Sequence, residues 1–312
     1  MTQRYTFLGP AGTFTEAALR QVPGVQDGTS VPAGSVLAAI AAVRAGEADH
    51  AMVPIENSVE GGVTATLDEV AADDDLQIVR EVLVPITFVL VGREPMPLEQ
   101  IRSITTHTHA WAQVRGWAAA TVPHAEFTPA SSTAAGAIAL LPTNDDAAPA
   151  RFDAAVCAPL VAEQTGLPVL AQAIEDTPGA VTRFVLVSRA GALPAMTGSD
   201  KTTITVPLPE DHPGALREIL DQFATRGINL SRIESRPTGS GLGKYFFSID
   251  FEGHLAEERV SAALAALYRI FPGVKFLGSY PRADAREITV DRHTTDDAYR
   301  AGQDWVASLL GR

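Results

Sequence analysis

With one cysteine, Cys157, in 312 residues, the chain has no internal disulfide, and that scarcity of thiols fits a reducing compartment. A cytoplasmic location is therefore expected. No apolar run is long enough to span a bilayer as a helix, since the longest, Val82 to Val91, is broken by Pro85. The N-terminus reaches Tyr5-Thr6-Phe7-Leu8 without a basic region, an apolar stretch and a small-residue cleavage site, so no export signal is expected. Lys and Arg are few and scattered, 24 against 37 Asp and Glu, which leaves a net charge of -13 and no basic patch. Neither nucleic acid nor a membrane is expected as a partner. The sequence also lacks a His/Cys cluster of metal-ligand spacing and a dinucleotide fingerprint, which is consistent with chemistry that needs neither metal nor cofactor.

What remains is an ordinary globular composition, 46% hydrophobic and 20% charged, sufficient to bury a sizeable core in two or three domains. Up to about residue 190, Val/Ile-rich segments alternate with Ala-rich ones, the pattern of an α/β fold. Strands are expected at Tyr5 to Leu8, Ala51 to Ile55, Gln77 to Val91, Ile101 to Thr106, Ala154 to Cys157 and Arg183 to Val187. Helices are expected at Ser35 to Arg44, Val63 to Ala71, Trp111 to Ala119 and Ser132 to Leu141.

Gly191, Pro194 and Gly198 fall in a stretch without periodicity, Ala190 to Asp200, which marks a linker. After it the order is strand (Thr202 to Leu208), helix (Pro213 to Thr225), two strands (Ile228 to Arg236, Lys244 to Phe251), helix (Ala256 to Ile270) and strand (Val274 to Ser279). This is a ferredoxin-like βαββαβ unit. Leu216, Ile219, Leu220 and Phe223 form the apolar stripe of its first helix. Tyr245, Phe247, Ile249 and Phe251 alternate with Phe246, Ser248 and Asp250, giving the sheet one apolar face for both helices and one mostly polar face. Beyond Arg282 the chain turns charged, with a short helix expected from Asp296 to Leu310.

Three segments at strand ends concentrate groups suited to a ligand cleft. In Gly9-Pro10-Ala11-Gly12-Thr13-Phe14-Thr15-Glu16, glycines permit a tight turn, and Thr13 or Thr15 can cap the following helix, leaving N–H groups for an anion. In Val53 to Gly62 a buried strand ends in Glu56, Asn57 and Ser58, where amide and hydroxyl can orient a polar substrate without adding charge. In Thr182-Arg183-Phe184 a hydroxyl and a planar cation open an apolar strand, the cation suited either to a ligand carboxylate or to a structural salt bridge.

The ordered set GPAGTFTEAAL (9–19), VPIENSVEGGV (53–63), HTHAWAQV (107–114), SSTAAGA (131–137) and TRFVLV (182–187) resembles the prephenate dehydratase family. GAL (214–216) and RIESRP (232–237) resemble the phenylalanine-binding motifs of an ACT-type regulatory domain, and the match covers nearly the whole chain. The sequence departs from the family pattern at Gly179, where Asn is usual, at Arg217, where a small apolar residue is usual, and at Thr108, where a His-Pro-His-like motif has Pro. His107 and His109 are expected to pack or hydrogen-bond rather than to catalyse.

The resemblance implies a catalytic region, residues 1–190, of two subdomains like a type II periplasmic-binding protein. The first would take about 1–76 and 180–190, the second about 77–179. A linker (191–200), an ACT-type domain (201–281) and a tail (282–312) would follow. It implies decarboxylating dehydration of prephenate to phenylpyruvate, CO2 and water in phenylalanine biosynthesis, without a cofactor. Thr182 would hydrogen-bond the leaving hydroxyl, with Glu56 in support, and Arg183 would bind the side-chain carboxylate. Thr13, Asn57, Ser58 and Ser132 would complete the contacts. L-Phenylalanine would act as allosteric effector at an interface between paired regulatory domains, in a homodimer or homotetramer. Its contacts would be Gly214, Ala215, Leu216, Asn229, Leu230, Glu234, Ser235 and Arg236. The motifs leave open arogenate as substrate, or a non-catalytic amino-acid sensor.

Overall fold

The computed structural model describes residues 2–59, 61–141, 152–208, 212–238 and 244–311. The first stretch runs β1 (Arg4–Leu8), α1 (Phe14–Leu19), β2 (Thr29–Ala33), α2 (Val36–Arg44), β3 (His50–Asn57), β4 (Gly61–Gly62), α3 (Thr64–Ala72) and β5 (Leu76–Pro85). Next come β6 (Val89–Gly92), β7 (Ser103–Thr106), α4 (Thr108–Thr121), β8 (Glu126–Pro129), α5 (Thr133–Ile138), β9 (Ala154–Cys157), α6 (Pro159–Thr165) and β10 (Val169–Gln172). Then follow β11 (Val181–Arg189), β12 (Asp200–Leu208), α7 (Ala215–Ala224), β13 (Leu230–Pro237), β14 (Tyr245–Glu252), α8 (Glu258–Ile270), β15 (Lys275–Pro281) and α9 (Asp296–Leu310). The chain divides into two compact units, Met1–Val63 with Val82–Phe184, and Thr64–Glu81 with Val185–Arg312.

One six-stranded sheet has the order β2-β1-β3-β11-β5, with β4 paired to β3. β1 lies parallel to both neighbours. α2 shows how sequence sets these elements: the Ser35 hydroxyl accepts from Ala38 N–H at 3.1 Å as N-cap, and Val36, Ala39, Ile40 and Val43 bury one face. Gly46, at φ 75°, stands where the left-handed conformation ends the helix. A five-stranded sheet, ordered β10-β6-β9-β7-β8, carries the second lobe. Leu90, Ile104, Val114 and Val156 are fully buried within it, each stabilising the fold by about 1.5–3 kcal/mol.

Two expectations change here. Gln77 to Val91 is two strands, because the chain breaks after Pro85 and resumes at Val89 in the other sheet. The crossover to the second lobe therefore falls beyond Pro85, later than Gln77. Four strands escape the sequence pattern altogether, namely the two-residue β4 and the longer β2, β8 and β10. The last three are sheet edges with little buried surface, and β2 carries Pro32, which an edge tolerates.

The last sheet has the order β13-β14-β12-β15, every pair antiparallel, and with α7 and α8 forms the expected βαββαβ unit. Ile204, Val206, Ile249 and Phe251 face the helices, where Ile219, Phe223, Val260 and Leu267 meet them. Ala215 rather than Leu216 begins the buried stripe of α7, and Leu216 stays exposed. The other sheet face is polar in residue type yet buried. Asp250 there accepts from Thr203 at 2.8 Å and from Arg232 at 2.9 Å. Segment 64–81 lies against this face. Lys275 Nζ donates to the last carbonyls of α3, at 2.9 Å from Ala71 O and 2.7 Å from Ala72 O, and Lys201 pairs with Glu81 at 2.8 Å. A Cβ at Gly278 (φ 132°) would run into the Ile78 carbonyl, so only glycine permits the approach.

The linker expectation needs one amendment. Asp200 opens β12, and its buried carboxylate accepts from Thr197 N–H at 2.8 Å and Gly198 N–H at 2.9 Å. The tail helix spans the expected residues, with Glu258 N–H donating to Asp296 at 2.9 Å. None of its residues is buried.

Cys157 is fully buried on β9, and burial pushes its thiol up to about 12. The native protein should therefore leave iodoacetamide unreacted at neutral pH, and one thiol per chain should appear only after denaturation. Mass spectrometry of native and guanidinium-treated samples checks this.

Candidate functional site

The ends of β3 and β11 lie side by side, and alternation along each strand sorts their polar residues onto two faces. On one face the Asn57 amide donates to Thr182 Oγ1 at 2.8 Å. On the other, Arg183 donates to Glu56 at 3.3 Å, with its guanidinium buried and the carboxylate partly open. Ser58 joins the strands through the backbone: its N–H donates to Val181 O at 2.9 Å, and its hydroxyl accepts from Val181 N–H at 2.9 Å. Asn57 also turns the chain, since its side-chain oxygen accepts from Val59 N–H at 2.8 Å. Glu60, within the same motif, lies outside the described residues.

Asn57 and Thr182 open onto a cavity of about 360 Å³. Leu8, Gly9 and Phe14 from the β1–α1 turn and Ile86 and Phe88 at the crossover line it, opposite His107, His109, Ala110 and Gln113 of α4 and Ser131, Ser132 and Thr133 of α5. The starts of two helices thus face the ends of two strands. His107 caps α4, its Nδ1 accepting from His109 N–H at 3.3 Å, and Ser132 caps α5, its hydroxyl accepting from Ala135 N–H at 2.9 Å. The two imidazoles meet edge to face with centroids 5.1 Å apart. No Asp, Glu, Lys or Arg lines the cavity among the described residues. Nor do those residues contain a group of three or more His, Cys, Asp or Glu able to hold a metal ion.

Of the sequence candidates, the structure gathers Asn57, Thr182 and Ser132 around this cavity. Thr13 is spent locally, donating to Leu8 O at 3.2 Å and accepting from Glu16 N–H at 3.4 Å as the cap of α1. Ser58 links backbones, and Glu56 and Arg183 pair behind the cavity wall. The rings of His107 and His109, Gln113 and the apolar Phe14, Ile86 and Phe88 were not singled out as site residues by pattern. The HTHAWAQV segment was the signal that pointed to three of them. Gly179 adopts φ 84° with open space around it, a conformation Asn also tolerates, so the backbone course is kept while the amide is absent.

Among the effector candidates, Gly214 (φ 97°) precedes α7, Ala215 is buried and Leu216 is exposed. On β13, Arg236 clasps Asp68 of α3 with a fork of bonds, the shortest 2.8 Å, and Glu234 lies 3.6 Å from Arg232. Ser235 points to the opposite face of that edge strand. Arg217 pairs with Asp221 one helical turn along, at 3.5 Å.

Two α/β lobes around a polar cavity, joined in one chain to a βαββαβ unit, define the periplasmic-binding-protein-like class with an added regulatory-type domain. The family model for prephenate dehydratase matches residues 5–192, and that for the ACT domain matches residues 202–267. The prephenate dehydratase of Amycolatopsis methanolica is 44% identical over 307 residues, covering 98% of this chain and 97% of the relative. The crystal structure of prephenate dehydratase in complex with L-Phe from Arthrobacter aurescens is 61% identical with a TM-score of 0.91, covering 99% of this chain and 100% of that one. A protein described as a novel type of quorum quenching acylase is 31% identical with a TM-score of 0.74, covering 89% and 98%. The chain belongs to the prephenate dehydratase family, a family of hydro-lyases, and its second half carries an ACT domain.

The turn that forms one cavity wall depends on Gly12, which has φ 83° and would place a Cβ 2.7 Å from Val161 of α6. Gly12→Ala should lower stability by at least about 1–2 kcal/mol from the left-handed backbone alone, read as a fall in the urea midpoint. An unchanged midpoint would show that the turn relaxes freely.

Proposed function

We propose that the chain converts prephenate to phenylpyruvate, CO2 and water, and that L-phenylalanine regulates it through the ACT domain. The bond from ring carbon to carboxylate breaks, and its electron pair enters the ring as CO2 leaves. The ring C–O bond breaks in turn, and the departing hydroxide takes a proton to become water. Aromatisation supplies the driving force, so the protein must hold the dianion and assist the hydroxyl.

The observation that carries this reading is the direction of the Asn57–Thr182 hydrogen bond. Because the amide donates to Thr182 Oγ1, the threonine serves as acceptor in that bond and keeps its own O–H for the cavity, toward a leaving hydroxyl. A threonine is a poor acid, so its help is a positioned hydrogen bond rather than full proton transfer. Asn57 and Ser132 flank the same space. Thr13, Ser58, Glu56 and Arg183 act one step back: Thr13 and Ser58 fix the turns, and the Arg183–Glu56 pair fixes the strand ends.

For regulation, the relative from Arthrobacter aurescens in complex with L-Phe supports an effector of that kind. Phenylalanine would lie near Gly214, Ala215 and Leu216, with Asn229, Leu230, Glu234, Ser235 and Arg236 completing the site across two copies of the domain. The exposed Leu216 and the edge position of β13 support a paired arrangement, since an edge strand presents free backbone groups to a second chain. The chain is then at least a dimer.

Purified protein incubated with prephenate should form phenylpyruvate, with a rate that changes on titrating L-phenylalanine, and arogenate assayed beside it should be the poorer substrate. Thr182→Val should lose about a hundredfold or more in kcat with the fold intact by circular dichroism. Wild-type turnover in that variant would end the assignment of Thr182.

A further inference from the structure

On the reading just given, the cavity receives a substrate with two carboxylates, yet no Lys or Arg among the described residues lines it. The cation expected there, Arg183, is engaged with Glu56 on the other face of the strand. His107 and His109 are the ionisable side chains in the wall. We infer that His109, as imidazolium, binds the side-chain carboxylate of the substrate, so that a proton enters the site with the anion. The inference rests on prephenate being the substrate.

The two rings differ in what a proton would cost. His107 Nδ1 accepts the hydrogen bond that caps α4, at 3.3 Å from His109 N, and a proton on that nitrogen would abolish the cap. Charging His109 breaks no cap, because its backbone N–H is the donor and its ring takes no part in that bond. His109 also stands in the first turn of a 14-residue helix, where unpaired N–H groups add favourable potential for an anion.

Other charged groups on bordering segments are committed elsewhere. Glu16 accepts from Gly12 N–H, Arg20 and Gln164. Glu175 accepts from Thr87 and from Phe88 N–H, and Asp176 from the N–H groups of Gly116 and Trp117. Arg115 on α4 and Glu126 on β8 do not line the cavity. The choice of carboxylate follows from the chemistry. A cation on the ring carboxylate would hold the electron pair that must enter the ring, whereas one on the side-chain carboxylate anchors the substrate and leaves that pair free.

The test compares wild type with His109→Gln, using prephenate as substrate and phenylpyruvate, which keeps the side-chain carboxylate, as product inhibitor. In wild type, KM for prephenate and Ki for phenylpyruvate should both rise as the pH is raised, by up to about tenfold per pH unit, with a smaller change in kcat. In His109→Gln both should be nearly flat with pH and resemble the high-pH wild-type values. His107→Asn, which keeps a helix cap, should retain the pH dependence. Equal pH profiles in wild type and His109→Gln, or a wild-type Ki that ignores pH, would overturn the role of His109. Absence of any prephenate turnover in wild type would instead overturn the substrate on which it rests.

Discussion

A single hydrogen bond, from the Asn57 amide to the Thr182 hydroxyl, joins strand ends 125 residues apart and sets the direction in which the threonine can donate. Its partners can meet because β3 and β11 are neighbours in the first sheet. The whole second lobe is inserted between them in sequence. Ser58 and Val181 exchange two further hydrogen bonds beside this one, so the register of the strand ends is held by backbone as well as side chain. A one-residue slip of β11 would turn Arg183 toward the cavity in place of Thr182 and leave the Asn57 amide without that partner.

That two-face arrangement explains what could and could not be read from the sequence. The motifs bring Glu56, Asn57, Thr182 and Arg183 together as one polar group, and neighbours in sequence invite neighbouring roles. A strand separates adjacent residues by half a turn, so the group divides into a pair at the cavity and an ion pair behind it. Likewise Thr13 and Ser58 carry hydroxyls in motif positions, yet helix capping and strand bridging already use them. Hydroxyl chemistry is visible in sequence; which backbone group will claim it is not. Buried strands such as β9, β12 and β14 were legible because they bury an apolar pattern. The edge strands β2, β8 and β10 had no such pattern to display.

The cavity's electrostatics follow from the same economy. Among the described residues the cavity wall holds no Lys or Arg, and so no permanently cationic side chain. Dipolar donors from helix starts, amides and hydroxyls remain, together with the imidazoles of His107 and His109. For the proposed reaction, in which one carboxylate has to leave, strong fixed cations would stabilise the dianion as much as the route out of it.

In the ACT domain the analogous competition concerns Arg236. Its guanidinium is engaged by Asp68 through a bidentate fork, the arrangement that Arg would otherwise offer to a ligand carboxylate. An effector that reaches Arg236 must therefore either displace Asp68 or bind alongside it using the remaining donors. Displacement would release α3 from β13 while Lys275 still holds its C-terminal carbonyls. α3 begins two residues after Gly62, and Gly61–Gly62 pairs with Glu56 and Asn57.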